Sequence, residues 1–422
     1  MKKVLVVGSG AREHAIAKTF LRSPQVDQVF VAPGNDGMRM TPNIKLVPIS
    51  VQMIRDLADF AELERIDLTF VGSEEPLTLG IVDYFEQHDL PIFGPRQAAA
   101  QLEGSKTFAK ELMAKYHIPT AQSVTVKSLD EALLAVERFG LPIVIKQDGL
   151  ALGKGVQIFQ RNDQLMQQLT GIYAKAPHAT LVVEEYLEGV EFSIFSFVGQ
   201  NGIVHAPIAQ DHKRLLDGDE GPNTGGMGAY SPVPWLADDV RMTAIEKLVM
   251  PTIEGMKADG IPFYGILYTG VMLTKQGPKV IEFNVRLGDP ETQVVLPQLN
   301  SDFYIMIDEL MLGIQPQVTW QHHQVYIGVV LAGEKYPASG SQGITVPVLE
   351  NHQVKVDSAA LTLKDDAYVS DGGRLLTFVA AGETVSQAQE IIYSQLQTLD
   401  LKHFQYRTDI GYQAVNHEVT KI

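Results

Sequence analysis

Lys279-Val280-Ile281-Glu282-Phe283-Asn284-Val285-Arg286, continuing into Leu287-Gly288-Asp289-Pro290-Glu291-Thr292, is the stretch from which the rest of the chain can be read. Apolar and polar side chains alternate along its first eight residues, the period of a strand with one buried face. That pattern predicts Ile281, Phe283 and Val285 on the core side and Glu282, Asn284 and Arg286 together on the other. Neighbours on one strand face lie about 7 Å apart. A carboxylate and an amide oxygen at that spacing suit a hard cation such as Mg²⁺, which takes one or two protein ligands beside substrate phosphates. The guanidinium next to them suits a phosphate or a carboxylate. The same alternation would also describe a solvated strand face. The Gly288-Asp289-Pro290-Glu291 turn, with two more acids, and the phosphate-binding loops elsewhere favour the metal and phosphate reading.

The chain has 422 residues, 45% of them hydrophobic, and a formal charge of −16. Its length predicts about two to four domains. No apolar run is long enough to span a bilayer. The opening Met1-Lys2-Lys3 imitates an export signal, but only Val4-Leu5-Val6-Val7 follows before Gly8, so the segment is read as a strand. Cysteine is absent, which excludes disulfides, thiolate metal ligands and cysteine nucleophiles. These features together give the expectation of a cytoplasmic protein. The negative charge argues against nucleic acid or anionic membrane as a partner. A phosphate ligand must then be held by local cations and backbone amides.

Residues 1–102 read as a parallel α/β layer. Apolar runs at 4–7, 29–32, 68–71 and 91–93 alternate with helical patterns at 12–21, 51–63 and 79–88, the order of βαβ units. Loops at the carboxyl ends of such strands form a ligand crevice. Here they read Gly8-Ser9-Gly10, Pro33-Gly34-Asn35, Gly72-Ser73-Glu74-Glu75 and Gly94-Pro95. Their glycines suit close backbone approach to a phosphate or a sugar. The first loop half-matches a dinucleotide fingerprint, but Glu13 stands at its third glycine and no acid ends the second strand. NAD is therefore rejected.

In 103–190, Ser105-Lys106 opens a helix that His117-Ile118-Pro119 stops. A strand at 142–146 runs into Gln147-Asp148-Gly149-Leu150-Ala151-Leu152-Gly153-Lys154-Gly155. This is no Walker A loop, since Asp148 and Gly155 break that motif. Lying between Lys146 and Lys154, it is either a phosphate-covering hairpin or a plain flexible one. The strand at 180–185 leads into acids at Glu184, Glu185, Glu188 and Glu191, which suit either a solvated face or the amine and hydroxyls of a nucleoside.

In 191–324, residues 210–232 form a loop too long and too irregular for a plain connection, so a functional loop is expected. Its glycines are interspersed with His212, Lys213, Arg214, Met227 and Tyr230, which fits poorly with disorder. His212 is given no proton-transfer role. An amphipathic helix follows, with a kink expected at Pro251. Residues 325–422 read as a small closing domain with a capping box of Thr384 and Gln387. No independent chemistry is expected there, only packing or partial closure of a site.

These segments together resemble the glycinamide ribonucleotide synthetase family, the phosphoribosylamine–glycine ligases of the ATP-grasp superfamily, over the whole chain. The similarity is carried by the loop His212 to Pro232, by Glu282 to Thr292, by Leu102-Glu103-Gly104-Ser105-Lys106, by Lys146 to Gly155 and by Pro33-Gly34-Asn35. The resemblance implies a Rossmann-like N-terminal parallel sheet (1–102), a two-lobed ATP-grasp fold (103–190 and 191–324) and a small C-terminal α+β domain (325–422). It implies a monomer that joins glycine to 5-phosphoribosylamine at the expense of ATP, through glycyl phosphate, in purine biosynthesis. ATP would be contacted by Lys106, Lys146, Lys154, Glu184, Glu185, Leu187 and Glu191, and Mg²⁺ or Mn²⁺ by Glu282 and Asn284. The phosphoribosylamine would sit by Gly10, Gly34, Asn35 and Glu74. Asp211, His212, Lys213, Asn223, Thr224, Gly225 and Asp289 would surround glycine and the phosphoryl group, with Arg286, Asp211 and Lys213 as the catalytic set. The chain departs from the family pattern at Ser73, Gln147, Leu152 and Leu287, which bears on the phosphoribosylamine contacts. Another ATP-grasp ligase or carboxylase, a nucleotide sensor and a dinucleotide oxidoreductase are the competing readings.

Overall fold

The computed structural model describes residues 1–150, 155–347 and 353–419. Among them, no helix is long and apolar enough to cross a membrane. The N-terminal sheet is five-stranded and parallel, in the order Ile44–Leu46, Val26–Pro33, Lys2–Gly8, Leu68–Val71, Ile92–Phe93. Val4, Leu5, Val6 and Val7 are all fully buried, because helices cover both faces of such a sheet and its central strand can be apolar throughout. Ile44–Leu46 escapes sequence reading: three residues carry no legible alternation.

An antiparallel sheet of Ser123–Val126, Leu181–Glu185, Ile143–Gln147 and Val156–Phe159 follows. Helices Leu129–Phe139 and Asn162–Lys175 pack on it around a separate core that includes Ile143, Leu165, Leu169 and Val183. A second antiparallel sheet runs Ile203–His205, Val190–Val198, Gly265–Thr274, Gly277–Asn284. The helix at 238–258 passes through a π-helical turn at Ile245–Val249, immediately before Pro251. This is the kink expected at Pro251, whose missing N–H interrupts the helical ladder.

The last sheet is six-stranded and is not built from the C-terminal segment alone. Gln210–Asp211 and Gly228–Ser231 add to Val325–Gly333, Arg374–Gly382 and Lys355–Ser358, with Phe404–Gln405 pairing beside them. The long 210–232 loop is thus ordered at both ends by strands, and between them Arg214–Leu216 pairs with Glu220–Asn223 as a hairpin. Its own sequence shows little periodicity because its partners are supplied by residues more than ninety positions away.

The metal-strand expectation needs one correction. The register shifts so that Gly270 pairs with Glu282 while Val271 pairs with Val280, leaving Ile281 as the bulged residue. Two adjacent apolar residues, Val280 and Ile281, cannot both face the core of a regular strand, and a bulge re-aims one of them. Val280 is fully buried, whereas Ile281 lines the ligand cavity. Phe283 and Val285 face the core as expected. The strand ends at Asn284, so Arg286 projects from the turn beyond it.

Candidate active site

A cavity of about 460 Å³ opens where the sheets converge; strands of the two antiparallel sheets and of the last sheet line it, and the N-terminal layer contributes Arg12 and Glu74 from helices. Glu282, Asn284 and Arg286 all line it, as the alternation predicts. One wall comes from the helix Lys106–Lys115, whose N-cap Ser105 accepts from the Phe108 amide. Asp148, from the glycine-rich hairpin, also accepts from the amides of Lys106 (2.7 Å) and Thr107 (3.2 Å). An acid at a helix N-terminus satisfies orphan donors and the helix dipole, which accounts for Asp148 standing where a Walker loop has glycine. Lys106 Nζ donates to the carbonyl of Gly149 at 2.8 Å, and burial lowers its pKa.

Glu184 lies between two buried lysines, 3.0 Å from Lys146 and 3.1 Å from Lys110. Lys146 donates also to the carbonyl of the bulged Ile281 at 2.9 Å. The Glu184 carboxylate therefore neutralises lysines, and it lines the cavity together with Glu185, Tyr186 and Leu187. Glu191 pairs with Lys213 at 3.1 Å, and Lys213 lies 3.9 Å from Glu282. Burial pushes the Asp211 carboxyl up to about 8, with Glu291, Glu191 and Glu282 adding to that against Lys213.

Arg286 is held by two acids from other elements: Glu74 at 3.2 Å and Glu103 at 3.1 Å. Burial alone would raise Glu74, but Arg286 and Arg12 outweigh it and hold the carboxyl at about 2. For Glu103 burial prevails, helped by Glu74, and its pKa rises to about 7. Its neighbours set the Asn284 amide with Nδ2 donating to Glu103 (3.0 Å) and to the Phe283 carbonyl (3.2 Å), so that Oδ1 is left as an acceptor.

Three family models match the chain. Residues 2–103 match the phosphoribosylglycinamide synthetase N domain, 104–292 its ATP-grasp (A) domain and 326–413 its C domain. A phosphoribosylamine–glycine ligase of Streptococcus pyogenes serotype M18 is 47% identical over 419 residues, covering 98% of this chain and 99% of the relative. That of Lactococcus lactis is 46% identical over 413 residues, 98% of this chain and all of the relative. The chain belongs to the phosphoribosylamine–glycine ligase family. The crystal structure of the Thermotoga maritima phosphoribosylamine–glycine ligase superimposes with a TM-score of 0.83 at 32% identity, covering 97% of this chain and 100% of that one. An N5-carboxyaminoimidazole synthase from Aspergillus clavatus, solved with ADP and a ribonucleotide, shares the fold alone at 15% identity and a TM-score of 0.66, over 94% of this chain and 98% of that one.

As a member of this ATP-grasp ligase family, the chain uses ATP, and most of the expected nucleotide and metal residues do meet in the cavity. Lys154 lies outside the described residues. Four other expected residues lie elsewhere. Asn35 donates to the carbonyls of Ser9, Ser358 and Ala359 and accepts from Gly37 and Ser358, so its polar atoms join the N-terminal sheet to the C-terminal one. Gly34 and Gly10 flank that junction and are not part of the cavity wall. Gly10 donates its amide to the Glu13 carboxylate at 2.6 Å. Added Cβ atoms on Gly8 or Gly72 would run into the Glu13 side chain. These glycines make room for an internal carboxylate, and a dinucleotide phosphate would meet that charge. His212 is 1% exposed, 2.9 Å from Gln413 Oε1 and 3.1 Å from the Gly411 amide. It points away from the cavity that Asp211 and Lys213 enter, as alternation along an extended segment requires.

Arg374 was not legible. It comes from the C-terminal sheet, donates to the carbonyls of Gly225 (2.6 Å) and Asp289 (2.8 Å), and pairs with the Asp289 carboxylate at 3.3 Å. Of the two expected roles for the closing segment, packing or partial closure of a site, Arg374 fits the second. A fully buried Arg407 likewise pins the 214–223 hairpin, through Asp219 at 2.7 Å, and pairs with Asp409 at 2.8 Å.

Proposed function

We propose that this chain joins glycine to 5-phosphoribosylamine through glycyl phosphate, yielding glycinamide ribonucleotide, ADP and phosphate. The observation that carries the reading is the convergence of Glu282, Asn284 and Arg286 on one cavity with Lys106, Lys146 and Lys213.

Among the described residues no cluster of three or more acidic or histidine side chains could hold a metal by itself. Glu282 and Asn284 form a two-oxygen set, which fits Mg²⁺ or Mn²⁺ completed by nucleotide phosphates and water. Such an ion would neutralise phosphate charge. Lys106 and Lys146 take the phosphates; Glu185, Leu187 and Glu191 take the nucleoside.

A carboxylate is a poor electrophile, so glycine is activated first. One oxygen of its carboxylate attacks the γ-phosphorus in line and ADP departs, a step driven by positioning and charge neutralisation from the lysines and Arg286. The ammonium of glycine lies by Asp211, whose buried carboxyl regains its charge when a cation binds beside it. The neutral amine of phosphoribosylamine then attacks the acyl carbon, loses its proton, and phosphate leaves. Glu191, Lys213 and the 213–225 segment shield the acyl phosphate from water.

The test is ADP release with glycine, Mg²⁺ and 5-phosphoribosylamine generated in place, each omitted in turn. Dependence on both co-substrates with matching product is expected. Release that ignores glycine but responds to another acid would sink the substrate assignment.

A further inference from the structure

The hairpin of Arg214–Leu216 and Glu220–Asn223 leads from Lys213 at one end to Thr224 at the other, and both of these line the cavity of the candidate active site. None of its residues 214–223 is buried. A two-stranded ribbon without an apolar face is marginal in water, so whatever grips it from outside decides where it lies. Among the described residues, the hydrogen bonds that leave it all end on 407–413. Arg407 donates to Asp219 at 2.7 Å and to the Arg214 carbonyl at 3.2 Å. The Gly218 amide donates to Asp409 at 2.7 Å, the Thr408 amide to Asp217 at 2.8 Å and the Tyr412 hydroxyl to Asp219 at 2.8 Å.

The same segment grips both neighbours of Lys213. Arg214 follows it, and the buried ring of His212 before it lies 2.9 Å from Gln413 and 3.1 Å from the Gly411 amide. The Lys213 carbonyl itself accepts from the Thr224 amide and hydroxyl, both at 2.8 Å. With the main chain fixed in this way, Lys213 Nζ stands 3.1 Å from Glu191 and 3.9 Å from Glu282. The Arg407 guanidinium is wholly buried against Asp219 and Asp409. Apolar packing holds a fold as firmly as a buried ion pair does. What a guanidinium adds is direction, because its planar fork orients the carboxylates and the carbonyl it meets.

We infer that Arg407 is a positioning residue for phosphoryl transfer from ATP to glycine, acting through the hairpin to set Lys213; the inference rests on the proposed ligase reaction. Arg407 does not line the cavity, so it touches neither substrate. A lysine stem is flexible, and where its Nζ lies depends first on where its main chain lies. Misplacement by about 1 Å at a reacting centre costs about 10²-fold in rate.

Arg407→Lys keeps the charge but cannot hold Asp219, Asp409 and the Arg214 carbonyl together. Asp219→Asn weakens the same grip from the exposed tip, and it decides the matter if Arg407→Lys does not fold. Three readouts are compared with wild type: kcat for ADP release with glycine, Mg²⁺ and 5-phosphoribosylamine generated in place, calorimetric affinity for a non-hydrolysable ATP analogue, and hydrogen–deuterium exchange of residues 213–226. We expect kcat to fall about 10–100-fold and exchange to quicken in both variants, with analogue affinity little changed. In a Lys213→Met background, neither substitution should lower the remaining turnover further, as two groups acting through one another are not additive. Unchanged kcat, or an undiminished loss in the Lys213→Met background, would overturn the assignment. Wild-type ADP release that ignores glycine would instead mark failure of the ligase reading, and exchange at 213–226 would still decide whether Arg407 holds the Lys213 segment.

Discussion

Glu103 and Arg286 meet at 3.1 Å, and the same carboxylate accepts from the Val285 amide at 2.7 Å. With the Asn284 amide also donating to it, one acid from the end of the helix Gln97–Gly104 holds three successive residues beyond the bulge. On the proposed reading, such a carboxylate positions the amide that would hold the metal and the arginine that would bind an anion. We expect Glu103→Gln to lower kcat by about tenfold or more while ATP affinity, measured by calorimetry with a non-hydrolysable analogue, changes little.

The two acids on Arg286 give opposite pH dependences. The Glu103 carboxyl, raised to about 7 from an ordinary 4.5, binds a proton in the folded state that the unfolded chain releases, so its contribution falls as pH rises between those values. Glu74, depressed to about 2 from 4.5, contributes stability that is present above 4.5 and lost as pH falls towards 2. Denaturant unfolding across pH should show Glu103→Gln flattening the decline above pH 4.5 and leaving the acid limb. A steeper decline in that variant would contradict the assignment.

Arg286→Ala removes a cation from the cavity in which the proposed phosphoryl transfer takes place. Turnover should drop by about 10²–10³, with nucleotide binding retained. Wild-type-like turnover would remove Arg286 from the chemistry. Part of the loss is structural, because Glu74 and Glu103 then lack their partner; Arg286→Lys separates charge from geometry, since lysine cannot bridge both acids.

Glu184→Ala leaves Lys110 and Lys146 buried without the carboxylate they share. Breaking a buried pair in this way costs about 3–5 kcal/mol, read as a lowered denaturation midpoint. Saturating ATP should restore part of the loss, as its phosphates replace the missing negative charge.

Glu282→Gln should weaken Mn²⁺ binding in the presence of ATP by about 10–100-fold, followed by electron paramagnetic resonance of free Mn²⁺. Unchanged affinity would place the cation elsewhere in the cavity.

The sequence by itself determined the local parts. The apolar run 4–7 specified a buried parallel strand, Ser105 a helix start, Pro251 an irregular helical turn, and Glu282, Asn284 and Arg286 a shared cavity. Each follows from periodicity or from one residue's own stereochemistry, which neighbours in sequence suffice to express. The tertiary structure alone decided what depends on distant partners. Gly8 and Gly72 had the look of phosphate loops, yet they accommodate Glu13. Asn35 had the look of a substrate ligand, yet Ser358 and Ala359 satisfy it across more than three hundred residues. Arg374 lies on the sheet that Gln210–Asp211 and Gly228–Ser231 join, and it reaches the site through Gly225 and Asp289. Hydrogen-bond saturation and charge pairing are settled between elements, so a polar side chain's role stays open until the chain brings its partner to it.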